Sequence, residues 1–126
     1  MNTTRLKKAL YKLKPLNLFH GNCGAFAVGL ASALGTRDCE LVWIEDLDTY
    51  GVYHCALYHK PTGIYLDGRG YLPDGIDTLV RESAHWITPV VYRKPVNARS
   101  VREVLSKTDW RIHPKRFERA MRKALV

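Results

Sequence analysis

The sequence holds no disulfide framework. Its three cysteines, Cys23, Cys39 and Cys55, are odd in number and include no CxxC pair, which argues against a stapled secreted scaffold and against a cysteine-rich zinc site. Reduced thiols are the expectation. Long apolar runs are also missing: the longest, Gly24 to Gly35, covers 12 residues with Ser32 among them, against the roughly 20 that a membrane-spanning helix needs. Lys12 and Lys14 interrupt the amino-terminal stretch before a signal-like apolar segment develops. The chain therefore reads as a cytoplasmic protein with no membrane partner. Internal repeats and low-complexity stretches are absent. At 126 residues it fits one domain, because single cores typically reach about 100–150 residues before splitting.

Acidic residues are scarce at both ends. Residues 1–14 carry five basic residues and no acid, and residues 98–126 carry nine basic residues against Glu103, Asp109 and Glu118, which leaves a net −3 for the middle. A mildly acidic centre between basic ends suggests an acidic partner such as nucleic acid, with Lys7, Lys8, Arg111, Lys115, Arg116 and Arg119 as the residues to meet it. Solvated helix faces would give the same pattern.

Apolar spacing divides the chain into elements. Leu6, Leu10 and Leu13 predict a helix from a cap at Thr3 or Thr4 to about Lys14, ended by Pro15. After a loop over Leu16–Asn22, the segment Cys23 to Leu34 predicts a helix capped by Asn22 and closed by Gly35. Nearly every residue in it is apolar or small, so it should be a central helix, buried on most sides against a sheet. Leu41–Glu45, Val52–His59, Ile64–Asp67 and Ile87–Arg93 are rich in β-branched and aromatic residues and read as strands. The turn at Pro61–Gly63 is short enough to make Val52–His59 and Ile64–Asp67 an antiparallel hairpin, with position 56 opposite 67. Further helices are expected within Asp74–Ala84, at Ser100–Lys107 and at Pro114–Leu125, the last with proline in its first turn.

Chemistry concentrates on three residues. Cys23 opens a helix, where free backbone N–H groups and the helix dipole can lower a thiol from about 8.5 toward roughly 3.5–7.5, and Gly24 after it would leave room for a substrate. A cysteine in that place is also a common small buried hydrophobe. His54 and Asp67 fall on one face of the hairpin as diagonal neighbours. A carboxylate there would fix the imidazole tautomer, and the other ring nitrogen would serve the thiol as base and acid, giving a Cys–His–Asp relay. Asp67 in the stretch Asp67-Gly68-Arg69-Gly70 could equally cap a loop. The backbone N–H of Cys23, with Asn17 or His20 from the preceding loop, could stabilise an oxyanion.

The segments NCGAFAVGLASALG at 22–35, YHCALY at 53–58 and IYLDGRG at 64–70 together resemble the papain-like cysteine hydrolase superfamily. The similarity is to its minimal transglutaminase-like and cell-wall amidase-like forms, often found in small phage or bacterial proteins. The resemblance implies an α+β papain-like fold with a Cys-bearing central helix on a small antiparallel β-sheet. It implies Cys23 as nucleophile, His54 as base and Asp67 as orienting residue, and it places Asn17 at the spacing of the family's oxyanion glutamine, with a shorter side chain. It covers roughly residues 16–93. The organisation expected is one domain over 1–126: a basic helix at 1–14, a catalytic core at 16–97 and a basic helical extension at 98–126.

The function expected is a thiol-dependent hydrolase or acyl-transferase acting on an amide or peptide carbonyl of a protein or peptide substrate, with no cofactor. The rival is a non-catalytic nucleic-acid- or protein-binding module on the same fold. His20, Cys23, His54, Cys55 and His59 could be imagined as a zinc site, but the usual paired ligand spacing is missing, and no metal is expected. His85 and His113 read as structural or surface residues. Tyr11, Tyr50, Tyr53, Tyr71, Trp86 and Trp110 would stack bases in a nucleic-acid binder, though scattered aromatics more often belong to a core.

Overall fold

The computed structural model describes residues 1–13 and 22–126. Its elements are α1 (Thr3–Lys12), α2 (Cys23–Leu34), a short 3-10 helix (Thr36–Asp38), β1 (Cys39–Asp46), β2 (Val52–His59), β3 (Ile64–Asp67), β4 (Gly70–Tyr71), α3 (Ile76–Ser83), β5 (Pro89–Pro95), α4 (Ala98–Lys107) and α5 (Pro114–Ala124). The architecture is α+β. The strands form one antiparallel sheet in the order β4-β3-β2-β1-β5. No helix among the described residues is long and apolar enough to cross a membrane. Lys14 and Pro15 lie outside the described residues, as do most of the loop expected over Leu16–Asn22 and the oxyanion candidates Asn17 and His20.

Each face of the sheet carries its own apolar cluster, as two-sided burial requires. On one face Trp43, Cys55, Leu57 and Leu66 meet Leu6 and Leu10 of α1, most of α2, Val104 of α4, and Phe117 and Met121 of α5. On the other, Val42, Ile44 and Ala56 meet Leu72 and Leu79. Alternating residues of β1 and β2 thus supply both clusters.

The apolar composition of α2 follows from its neighbours. It packs on β2 on one side and α5 on another, and two glycines set how close it comes. A Cβ at Gly24 would lie 2.7 Å from Val104 Cγ1, and one at Gly29 would lie 2.8 Å from Phe117 Cβ and against the Pro114 carbonyl. Gly24 is therefore buried against α4 and the residue after it, which corrects the expectation that it opens space for a substrate. α1 is capped by Asn2, whose Oδ1 accepts the Arg5 N–H at 2.8 Å, and not by Thr3 or Thr4. Its Arg5 and Lys12 donate to the carbonyls of Leu125 and Ala124, satisfying groups that the last turn of α5 leaves without an intrahelical donor. The two basic ends of the sequence therefore meet at one place in the fold.

Candidate active site

The hairpin β2–β3 pairs Leu57 with Leu66 and His59 with Ile64, a register that continues to Ala56 opposite Asp67 as the turn chemistry implies. β3 is only four residues long, so beyond Ala56 the β3-facing side of β2 has no strand beside it. A register shift against β1 sits at the same place: Ile44 pairs with His54 but Glu45 with Val52, which makes Tyr53 the extra residue of a bulge. Bulges re-aim neighbouring side chains. His54 emerges from this one a quarter exposed, and its Nε2 lies 3.1 Å from Oδ2 of Asp67, whose side chain is 1% exposed.

The N-terminus of α2 meets the open stretch of β2. The Cys23 thiol comes close to the His54 imidazole and to the backbone N–H groups of Gly24 and Cys55, all of which favour its ionisation. With Nε2 committed to Asp67, Nδ1 is the ring nitrogen left for the sulfur. Burial resists ionisation of Cys23, yet the His54 hydrogen bond and charge and the two backbone donors outweigh it, and its pKa falls below the ordinary value. Burial is the largest cause on the other thiols: Cys39 is pushed up to about 12, with Asp38 adding to the effect and Lys60 opposing it, and Cys55 is raised well above its ordinary value, with Cys23 adding to it. Desolvation disfavours the imidazolium of His54, but the hydrogen bonds to Asp67 and Cys23 and their charges reverse this and raise its pKa to about 9. Both shifts act in the direction of a thiolate–imidazolium pair.

Asp67 is held by more than His54. Its Oδ1 accepts the Arg69 backbone N–H at 2.8 Å, and its Oδ2 accepts the Arg69 side chain from Nη2 at 3.0 Å and Nε at 3.2 Å. Against the burial that would raise it, these bonds and that of His54 keep the carboxyl below its usual range. Arg69 Nη1 in turn lies 2.7 Å from both oxygens of Glu82 on α3. The sequence reading missed Arg69 and Glu82. The two-residue spacing from Asp67 was a usable signal for Arg69, whereas nothing local points to Glu82.

A cleft of about 220 Å³ opens beside the sulfur, lined by Cys23, Val52, Tyr53, Lys107, Thr108 and Asp109. Its far wall is tied to the helix that Cys23 opens. Asn22 makes no side-chain cap, and its Oδ1 instead accepts the backbone N–H groups of Arg111 at 2.8 Å and Ile112 at 3.1 Å. The residue expected to cap α2 thus fixes the α4–α5 connection across the cleft.

The remaining histidines and cysteines go elsewhere. His59 is buried with Nδ1 2.7 Å from Thr62 Oγ1, and Cys55 faces the Ala56 carbonyl. His113 caps α5 by accepting the Lys115 N–H, and His85 is exposed beyond α3. Among the described residues no three His, Cys, Asp or Glu side chains converge as metal ligands would. Lys7, Lys8, Arg111, Lys115, Arg116 and Arg119 are all exposed, with Lys7 4.1 Å above the Tyr71 ring. The six aromatics considered for base stacking are exposed too, while Trp43, Phe117 and Phe26 fill the core. No family model, curated protein or solved structure matches this chain.

Proposed function

We propose that the protein is a thiol-dependent acyl-transfer enzyme of papain-like fold, with Cys23 as nucleophile, His54 as acid and base, and Asp67 as the residue that orients His54. The supporting observation is that Cys23, at a helix N-terminus beside an open cleft, comes close to a His54 whose Nε2 is 3.1 Å from Asp67. The Cys23 thiolate attacks the carbonyl carbon of an amide, forming a C–S bond and a tetrahedral oxyanion. The backbone N–H of Cys23, at the first position of α2, has no intrahelical acceptor and suits the oxyanion as a donor. Collapse breaks the C–N bond as His54 passes its proton to the departing amine. Water, deprotonated by His54, or a second amine then resolves the thioester. Protein or peptide amides are the substrate class of this reading. The rival binding module keeps the same residues without the chemistry.

Alkylation tests the chemistry without a substrate. Limiting iodoacetamide at about pH 6 reacts with thiolate, and thiols near 8.5 are under about one per cent ionised there. Cys23 should be labelled first, with Cys39 and Cys55 silent in the folded protein, as mass spectrometry of the peptides would record. His54→Ala removes the imidazolium and should move Cys23 labelling to higher pH. Equal labelling of all three cysteines, or a Cys23 profile indifferent to His54→Ala, overturns the enzyme in favour of the binding module.

A further inference from the structure

Asp67 has two oxygens and four donors. Oδ2 takes His54 Nε2 together with Nε and Nη2 of Arg69, and Oδ1 takes the Arg69 backbone N–H. The carboxylate cannot rotate about its last bond without breaking the Arg69 contacts, so the direction from which it meets His54 is fixed by the guanidinium. That guanidinium is itself fixed from behind, since Nη1 bonds both carboxylate oxygens of Glu82 on α3. An arginine fork held at both sides gives geometric definition that a lysine cannot.

We infer that Arg69 is a positioning residue for this site: clamped between Asp67 and Glu82, it aims the Asp67 carboxylate at His54 and ties the reactive chain to α3. The inference rests on the proposed thiol chemistry. Arg69 is one-third exposed and does not line the cleft, so its influence passes through Asp67. What the fork supplies through Asp67 is direction.

The test isolates direction by holding charge constant. The titratable and charged groups around His54 are Cys23 of α2, Asp67 of β3, Arg69 with Glu82 behind it, and Lys107 and Asp109 across the cleft. Arg69→Lys keeps the positive charge and removes the fork. The double variant Arg69→Met with Glu82→Gln removes one charge of each sign. Carbon-13-detected titration of His54 Cε1–H, assigned by its disappearance in His54→Ala, reads the effect directly. The wild type should titrate at about 9. Both variants should lower the midpoint by about one pH unit, a tenfold change in proton affinity, and Asp67→Asn should lower it further. A purely structural Arg69 would depress the melting temperature and leave the midpoint where it was, and that result overturns the inference. If only one variant folds, its midpoint decides. Should the wild-type His54 titrate at its ordinary value, and His54→Ala leave Cys23 labelling unchanged, it is the enzyme reading that fails. If Asp67→Asn shifts the midpoint and the Arg69 variants do not, only the clamp fails.

Discussion

Asp67 had two readings in the sequence, loop cap and neighbour of His54, and its two oxygens carry one contact each. Oδ1 closes a turn onto the Arg69 N–H, the local bond that aspartate makes at i+2, while Oδ2 faces His54. Asp67→Asn therefore acts on stability as well as on the imidazole, and pH separates the two effects. The folded-state pKa of His54 is raised to about 9, above its unfolded value of roughly 6.5. Its pairing with Asp67 thus stabilises the fold fully below about 6.5, and this contribution is lost as pH rises through about 9. The melting-temperature gap between wild type and Asp67→Asn should be wide at about pH 5.5 and narrower at about pH 10. It should not close, because Arg69 stays charged and still needs the carboxylate. Thermal scans at the two pH values check this, and a gap that does not change with pH would mean that Asp67 acts only as a loop cap. His54 and Asp67 were legible because a tight turn fixes hairpin register. Asn22 was misread because the donors to its side chain lie 89 and 90 residues away, beyond any local pattern.

At the scale of the element, α2 was legible and its closest contacts were not. A run of small and apolar residues from Cys23 to Leu34 announces burial on most sides, but it does not say which glycine meets which neighbour. Two substitutions rank those contacts. At Gly24 a new Cβ meets the side chains of Val104 and Thr108, which can shift by rotation or small displacement. At Gly29 it meets the Pro114 carbonyl, the Glu118 backbone nitrogen at 3.0 Å and Phe117 Cβ, and backbone yields only if α5 moves. Overpacking of this kind typically costs about 1–3 kcal/mol, so Gly24→Ala should fall near the low end and Gly29→Ala at or beyond the high end. Urea unfolding midpoints measure the difference. Gly24→Ala should also slow alkylation of Cys23, because Thr108 lines the cleft, whereas Gly29→Ala should not. The bulge at Tyr53 was invisible in the sequence, since Val52–His59 alternates well enough to pass for a regular strand, and strand bounds alone do not show where β1 and β2 fall out of step.

Across the whole molecule, the carboxy-terminal segment is where sequence and fold diverge most in emphasis. Its charge, nine basic residues against three acids in 98–126, makes it read as an appendage for an acidic partner. Its apolar residues point inward instead: Val104, Ile112, Phe117 and Met121 join the core around α2, and Phe117 stands edge-on to Phe26 with ring centres 5.2 Å apart. Each such side chain, fully buried, contributes about 1.5–3 kcal/mol, and four of them approach the about 5–15 kcal/mol that a whole domain has to lose. Removing residues 98–126 should therefore abolish cooperative unfolding and near-ultraviolet dichroism, so truncation cannot serve as a test of the basic surface. Charge reversal can. Lys115→Glu, Arg116→Glu and Arg119→Glu change exposed residues of α5 and should leave the thermal transition intact. If that surface neutralises phosphates, the triple variant should lose affinity for duplex DNA, and the wild-type affinity should fall steeply with salt, by about 0.9 counterion per phosphate contacted. A truncated protein that still melts cooperatively would return residues 98–126 to the status of an appendage, and the packing of α2 against α5 would then have to be dispensable.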